Sequence, residues 1–308
     1  MIYLVLCLGL MILLAGGKFL VDGASSLALK FGLSQGLIGL TIVAFGTSAP
    51  ELLVSINAAL DGKSDISIGN VIGSNIANIS LVLGISAILF PIKINSNILK
   101  AEYLVVLISS IIFYFFSFNG FVSRMEGSVL LVLMVMINTY FFLNVDKANI
   151  DEIDRDELIL PLATWKSILL LLAGIFGLYY GADLFVESAV GIATVFGVSE
   201  RIIGITVIAV GTSLPEMATS IIAAINKKTD IAIGNILGSN IMNILAIIGT
   251  TALISPIGVS DLFLQQDFLW MLGLTIVLFP ILRSGQEVSR VEGIFLFVAY
   301  ITYIIFII

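Results

Sequence analysis

The 308-residue chain is 59% hydrophobic and only 11% charged, whereas a soluble chain carries about a quarter charged residues, so it cannot clothe itself in polar surface and belongs in lipid. It has no histidine and one cysteine, Cys7, which rules out imidazole bases, histidine-ligated zinc or haem, and any intrachain disulfide. The net charge of −7 invites no nucleic acid, and without a Gly-rich phosphate loop ending in Lys-Ser or Lys-Thr no nucleotide-driven pump is expected.

A bilayer core is crossed by about 20 apolar residues. On that measure the first five predicted spans are Ile2–Leu29, Ser34–Leu60, Ile66–Phe90, Ile98–Phe118 and Gly127–Leu143. Met1 to Gly17 lacks a basic leading region and reads as the start of the first span rather than as a signal peptide. A polar segment from Asn144 to Leu160, containing DEIDRDE, follows and ends at Pro161. It lacks the spacing of a helix–loop–helix calcium site and reads as a solvated loop. Five more spans follow at Trp165–Val195, Ile202–Ile225, Ile231–Ile254, Phe268–Leu282 and Gly293–Ile307. The expected fold is an all-α integral membrane protein of ten helices: residues 1–143 as one five-helix unit, 144–164 as an acidic linker, and 165–308 as a second unit.

Basic residues set the expected orientation. With the N-terminus outside, inner loops hold Lys30, Lys93, Lys100, Lys147, Arg155, Lys166, Lys227, Lys228, Arg283 and Arg290. Outer loops hold only Lys63, Arg124 and Arg201. Both termini are therefore expected outside the cell membrane, and the linker inside.

An internal repeat is the most specific feature. Shifted by 165 positions, Gly36–Asn78 overlies Arg201–Asn243 with 24 of 43 residues identical, including GTSAPE over GTSLPE and GNVIGSNIAN over GNILGSNIMN. A second echo, SRMEG at Ser123 and SRVEG at Ser289, extends the copies. Five spans per copy is an odd number, so the second copy must cross the membrane in the opposite sense. Inverted repeats of this kind place a binding site near the midplane, with broken helices contributing.

Two features of GTSAPE (Gly46–Glu51) and GTSLPE (Gly211–Glu216) are costly in lipid. Pro50 and Pro215 should break their helices and free carbonyls around Ala44 to Thr47 and Ala209 to Thr212. Glu51 and Glu216 lie in mid-span, where ionisable residues are rare and face cavities. Thr47 and Glu51 share a helix face, as do Ser74 with Asn78 and Ser239 with Asn243. Such an all-oxygen set suits a hard cation; calcium accepts about six to eight oxygens in flexible geometry, and sodium is of similar size. Two adjacent carboxylates resist joint ionisation unless a cation is present, so protons should compete at low pH.

Other polar residues carry less. Asn70, Asn75, Asn235 and Asn240 read as packing groups that allow close helix contact. Lys18 with Asp22, and Asp183 with Glu187, fit ion pairing or snorkelling better than an ion entrance.

At these motifs the chain resembles the sodium/calcium exchanger family, whose two alpha-repeats GTSAPE/GNVIGSNIAN and GTSLPE/GNILGSNIMN look like. The resemblance covers the whole chain and is closest to the compact prokaryotic members. It implies that Glu51 and Glu216 bind calcium with main-chain oxygens of Thr47 and Thr212. It further implies that Ala44, Ser48, Ser74, Ala209, Ser213 and Ser239 flank sodium sites, and that Asn78 and Asn243 occupy the centre. Family members exchange several sodium ions for one calcium, so net charge moves, and their first and sixth helices slide on the remaining bundle. The glycines of GGKFLVDG and GLYYGAD fit a loosely packed sliding face. Asn243, where potassium-dependent relatives carry Asp, argues against potassium cotransport; GNxxGS in place of GNxxE argues against proton coupling. Exchange of Na+ for Ca2+ is the expected function, with proton/calcium exchange and a cation channel as alternatives. No enzyme activity or cofactor is implied. The partners are Ca2+, Na+ and the bilayer, and a single chain suffices.

Overall fold

A computed structural model describes residues 2–94, 98–143, 162–197, 209–283 and 287–307. The first helix, α1, runs Ile2–Phe31. It is followed by α2 (Gln35–Thr47), α3 (Ala49–Leu60) and α4 (Ser64–Leu89). Strand β1 (Ile92–Lys93), α5 (Ile98–Ser117), β2 (Phe121–Val122) and α6 (Arg124–Leu143) complete the first half. The second half holds α7 (Thr164–Val195), α8 (Ala209–Thr212), α9 (Leu214–Ile225) and α10 (Thr229–Ile254). It ends with β3 (Ile257–Gly258), α11 (Phe263–Arg283), β4 (Glu287–Val288) and α12 (Arg290–Ile307). The DEIDRDE linker lies outside the described residues, as does 198–208, the start of the seventh expected span.

Among the described residues, seven helices are long and apolar enough to cross a membrane: α1, α4, α6, α7, α10, α11 and α12. The pair α2 and α3, bent by 46°, makes an eighth. Ala101–Ser117 in α5 and Leu214–Ile225 in α9 are shorter apolar helices. Met125, Val195, Leu4 and Ile305 turn large apolar side chains outward, with 70–81% of their surface exposed, the surface expected of a bundle solvated by lipid tails.

Burial is concentrated in α4 and α10, which are enclosed by the other helices. Close backbone contact across the halves makes that possible. Gly84 of α4 meets Gly293 of α12, and Gly249 of α10 meets Gly127 of α6; a Cβ on any of them would fall 2.8–3.0 Å from a partner carbonyl or side chain. The strands are also exchanged between halves. β1 pairs antiparallel with β4 through Ile92↔Val288, and β2 with β3 through Val122↔Ile257, all four side chains fully buried.

The SRMEG and SRVEG echoes have a local purpose. Ser123 and Ser289 cap α6 and α12: each serine N–H donates to the carboxylate three residues on, Glu126 at 2.7 Å and Glu292 at 2.8 Å. The serine hydroxyls receive the Glu126 and Glu292 N–H groups in return, satisfying helix-end donors reciprocally. Ser289→Ala is expected to cost about 1 kcal/mol, seen as a lower melting temperature in detergent.

The glycines of α1 and α7 correct the reading drawn from the family resemblance. Gly9, Gly16 and Gly23 recur every seven residues on one face of α1, against the backbone of an antiparallel α7 at Gly181, Gly177 and Ser167. A Cβ on Gly16 would lie 2.6 Å from the Leu178 nitrogen, and one on Gly181 would lie 2.5 Å from the Leu13 nitrogen. These glycines do not loosen a sliding face. They bring two backbones into contact and join the helices to each other. Gly17 is the one turned toward α9, against Ile222.

Candidate functional site

Each proline motif breaks its helix as expected. Ser48 (φ −88°, ψ 4°) and Ser213 (φ −90°, ψ 4°) leave helical geometry, and α3 and α9 restart one residue later. Pro50 and Pro215 then sit in the first turn of the new helix. There a missing N–H costs nothing, because first-turn N–H groups have no intrahelical acceptor. The carbonyl of Ala44 is not free, as the sequence had suggested: it accepts the Ser48 N–H at 3.0 Å, and the Thr47 hydroxyl lies 3.2 Å away. Glu51 and Glu216 follow in the first turns of α3 and α9, where the positive helix end favours a carboxylate.

These breaks converge in the interior. Glu51 is 1% exposed and Glu216 fully buried, and they are near enough for the Glu216 charge to act on Glu51. Ser48 donates to Glu216 Oε1 at 3.0 Å, so the first motif completes the surroundings of the second motif's carboxylate. Ser239 Oγ donates to the same oxygen at 3.5 Å. Thr47 Oγ1 lies 3.4 Å from Ser239 Oγ and donates to Asn235 Oδ1 at 3.1 Å. Thr47, Ser48, Glu216 and Ser239 thus form one buried network across the two halves.

The other expected site residues are also placed here. Helix α3 packs against 242–248, which carries Asn243, while α9 packs against 78–82, which begins at Asn78. Asn78 donates to Asn240 Oδ1 at 3.2 Å. Ala44, Ser74, Ser213 and Asn243 are buried. Thr212 is only half-buried, unlike Thr47, and only the backbone of Ala209 is described, within α8.

Many polar atoms in this cluster lack protein partners. Both oxygens of Glu51, Glu216 Oε2, Ser74 Oγ, Ser213 Oγ, Asn78 Oδ1 and both amide atoms of Asn243 are buried without a hydrogen bond. A native interior rarely leaves such groups unmet, since each costs about 1–3 kcal/mol. Most of them are oxygens, the donor set of a hard cation. No cluster of three His, Cys, Asp or Glu side chains exists among the described residues, so ligation here depends on two carboxylates supplemented by neutral oxygens.

Two features escaped the sequence. Asn70 and Asn235, taken as packing groups, latch the broken helices. Asn70 Nδ2 donates to Glu51 O at 3.2 Å and Ser55 Oγ at 2.9 Å; Asn235 Nδ2 donates to Glu216 O at 3.4 Å and Ser220 Oγ at 3.1 Å. Their recurrence at one offset beside the prolines was the available signal. The π-helical turns at Gly39–Val43, Asn78–Val82 and Met242–Ile248 had none. A π turn widens the helix and redirects the carbonyls beside the site. Asn235→Ala removes a latch and the acceptor of Thr47 together. It is expected to destabilise the protein by about 1–3 kcal/mol, more than Asn70→Ala, as read by thermal unfolding in detergent.

A fold of broken helices gathering buried carboxylates at the bundle centre defines a membrane transporter for cations. The family model described as "Sodium/calcium exchanger protein" matches residues 1–143 and 166–308, and the chain belongs to the sodium/calcium exchanger family. CaxA of Alkalimonas amylolytica is 39% identical over 303 residues, spanning 96% of this chain and 95% of that protein. The sodium/calcium exchanger MaX1 of Methanosarcina acetivorans is 34% identical over 343 residues, spanning 98% and 97%. Among solved structures, the sodium-calcium exchanger NCX_Mj soaked with 2.5 mM Na+ and 10 mM Sr2+ superposes with a TM-score of 0.85 at 34% identity, covering 99% of each chain. The protein is a membrane antiporter for calcium and a second cation, and its relatives are transporters rather than enzymes.

Proposed function

We propose that the chain exchanges Na+ for Ca2+ across the cell membrane, electrogenically, as a single chain with both termini outside. The observation that carries this reading is the set of unpartnered buried oxygens around Glu51 and Glu216. One Ca2+ neutralises both carboxylates; several Na+ ions do the same while using subsets of the same oxygens, so the two loads compete. Glu51, Glu216 and main-chain oxygens of Thr47 and Thr212 hold calcium. Ala44, Ser48 and Ser74, with Ala209, Ser213 and Ser239, border the sodium positions, and Asn78 and Asn243 supply neutral polar groups at the centre. The names of MaX1 and NCX_Mj, both sodium/calcium exchangers, support sodium as the counter-ion.

The transport architecture in this reading is ten spans in two inverted five-helix repeats, 1–143 and 165–308, joined by a cytoplasmic linker at 144–164. Helices α1 and α7 occupy equivalent places in the repeat, and their antiparallel contact through Gly16 and Gly181, themselves 165 apart, supports the inversion. Alternating access needs the two halves to differ in any one state, and they do. Ser48 bonds Glu216, whereas the equivalent Ser213 hydroxyl has no partner. Asp22 of α1 pairs with Lys228 at 3.4 Å, while the equivalents Glu187 and Lys63 make no such pair among the described residues; Lys63 turns to Asp61 instead. Pairing of Asp22 with Lys228 and Lys18 agrees with the sequence reading of these charges.

Reconstituted into liposomes, the protein is expected to accumulate Ca2+ when an outward Na+ gradient is imposed and to stop when that gradient is removed. Uptake that ignores sodium and follows a proton gradient would replace this reading with proton/calcium exchange. Flux with no counter-ion requirement would make the protein a channel.

A further inference from the structure

A second pair of carboxylates lies away from the transport site. Glu102 of α5 is 6% exposed, and its Oε2 is buried with no hydrogen-bond partner. It sits where α5 packs on the start of α10, within electrostatic reach of Asp230, a half-buried residue in the first turn of α10. A first-turn acid such as Asp230 has an ordinary explanation in the helix dipole. Glu102, buried beyond the first turn of α5, has none.

The repeat supplies an internal control. Shifted by 165, Glu102 becomes Asp267 and Asp230 becomes Asp65, and α11 packs on α4 as α5 packs on α10. In that half the buried acid is satisfied: Tyr303 donates its hydroxyl to Asp267 Oδ1 at 2.7 Å. The residues of α6 in the corresponding place are Ile137, which has no donor, and Asn138, whose amide goes to Met134 O at 2.9 Å. Asp65 is exposed, where Asp230 is drawn into the interface. One half therefore carries its own donor, whereas in the other, among the described residues, Glu102 Oε2 has none and Asp230 lies within electrostatic reach.

We infer that Glu102 and Asp230 form a second cation site, for a divalent ion such as Ca2+, at the end of the bundle that carries Lys93 and Lys228. Glu102 Oε2 has no hydrogen-bond partner, which leaves it open to ligate an ion at the usual carboxylate distance of about 2.4 Å. Half-exposed Asp230 gives that ion a path from water, and remaining ligands come from solvent. By the distribution of basic residues this end faces the cytoplasm, where the site would sense the calcium that the carrier moves. Bound there, the ion ties α5 to α10, the helix that also holds Ser239 and Asn243.

The test is equilibrium binding of radioactive Ca2+ to the purified full-length protein in detergent. The wild type is expected to bind two ions, Glu51→Gln/Glu216→Gln one, and that variant with Glu102→Gln added none. Asp230→Asn is expected to weaken the same component at least tenfold, with the protein still folded. The site is rejected if Glu102→Gln and Asp230→Asn each leave the wild-type stoichiometry and affinity unchanged, or if Glu51→Gln/Glu216→Gln abolishes all saturable binding. Two ions retained by Glu51→Gln/Glu216→Gln, with one lost on Glu102→Gln, would support this site while removing the assignment of Glu51 and Glu216.

Discussion

Glu51→Gln is expected to abolish calcium transport and leave the fold intact, and Glu216→Gln to do the same. The amide keeps the volume and one oxygen but removes half the negative charge that neutralises a divalent ion. Withdrawing one partner of a buried charge pair costs about 3–5 kcal/mol, equivalent to a fall of roughly two to four orders of magnitude in affinity. The ion-free protein should respond in the opposite way. Glu51 and Glu216 are both buried and within electrostatic reach of each other, so neutralising either relieves repulsion, and the melting temperature without calcium or sodium should hold or rise. Melting in chelator and sodium-free buffer, paired with vesicle uptake, measures both. A Gln variant that unfolds in the absence of ions would assign these carboxylates a structural part. Full transport in either variant would move the site elsewhere.

Gly181→Ala is expected to damage the protein although it adds only a single methyl. That methyl would fall 2.5 Å from the Leu13 nitrogen and 2.8 Å from its Cα, and backbone atoms cannot rotate aside. The two helices must separate, with an overpacking cost of about 1–3 kcal/mol, and Gly181→Leu should cost more. If α1 and α7 move as one body, parting them should slow transport at least about tenfold, as each 1.4 kcal/mol corresponds to a factor of ten. Gly273→Ala on α11 is the control. A Cβ there meets nothing within 4 Å, and helix propensity improves by up to about 1 kcal/mol, so stability should hold or increase. Equal effects at Gly181 and Gly273 would show that the close α1–α7 contact has no consequence for function.

Much of the site was legible in the sequence because its cost was written twice. A proline and a carboxylate inside an apolar run are each unfavourable in lipid; their recurrence 165 positions later left few explanations besides a shared cavity. Glu51, Glu216 and Thr47 could be proposed from that and Ser239 from its helix face, whereas Ser48 was implied by the family resemblance. The latching role of Asn235 could not, since an asparagine in a small-residue helix packs or bonds according to what faces it, and its Thr47 partner lies 188 residues away. The α1 and α7 glycines were misread for the same reason. Glycine permits either a loose face or a very close one, and only the neighbour decides which.

Composition and periodicity by themselves determined that the chain resides in lipid, that it is duplicated, and where its helices break, because hydrophobicity, helix length and the missing proline N–H act locally. The tertiary structure decided which half completes which. Ser48 serves Glu216, β1 pairs with β4, and Tyr303 satisfies Asp267 while Glu102 receives no such donor. A repeat makes its two copies equivalent in sequence, and three-dimensional packing is what makes them different.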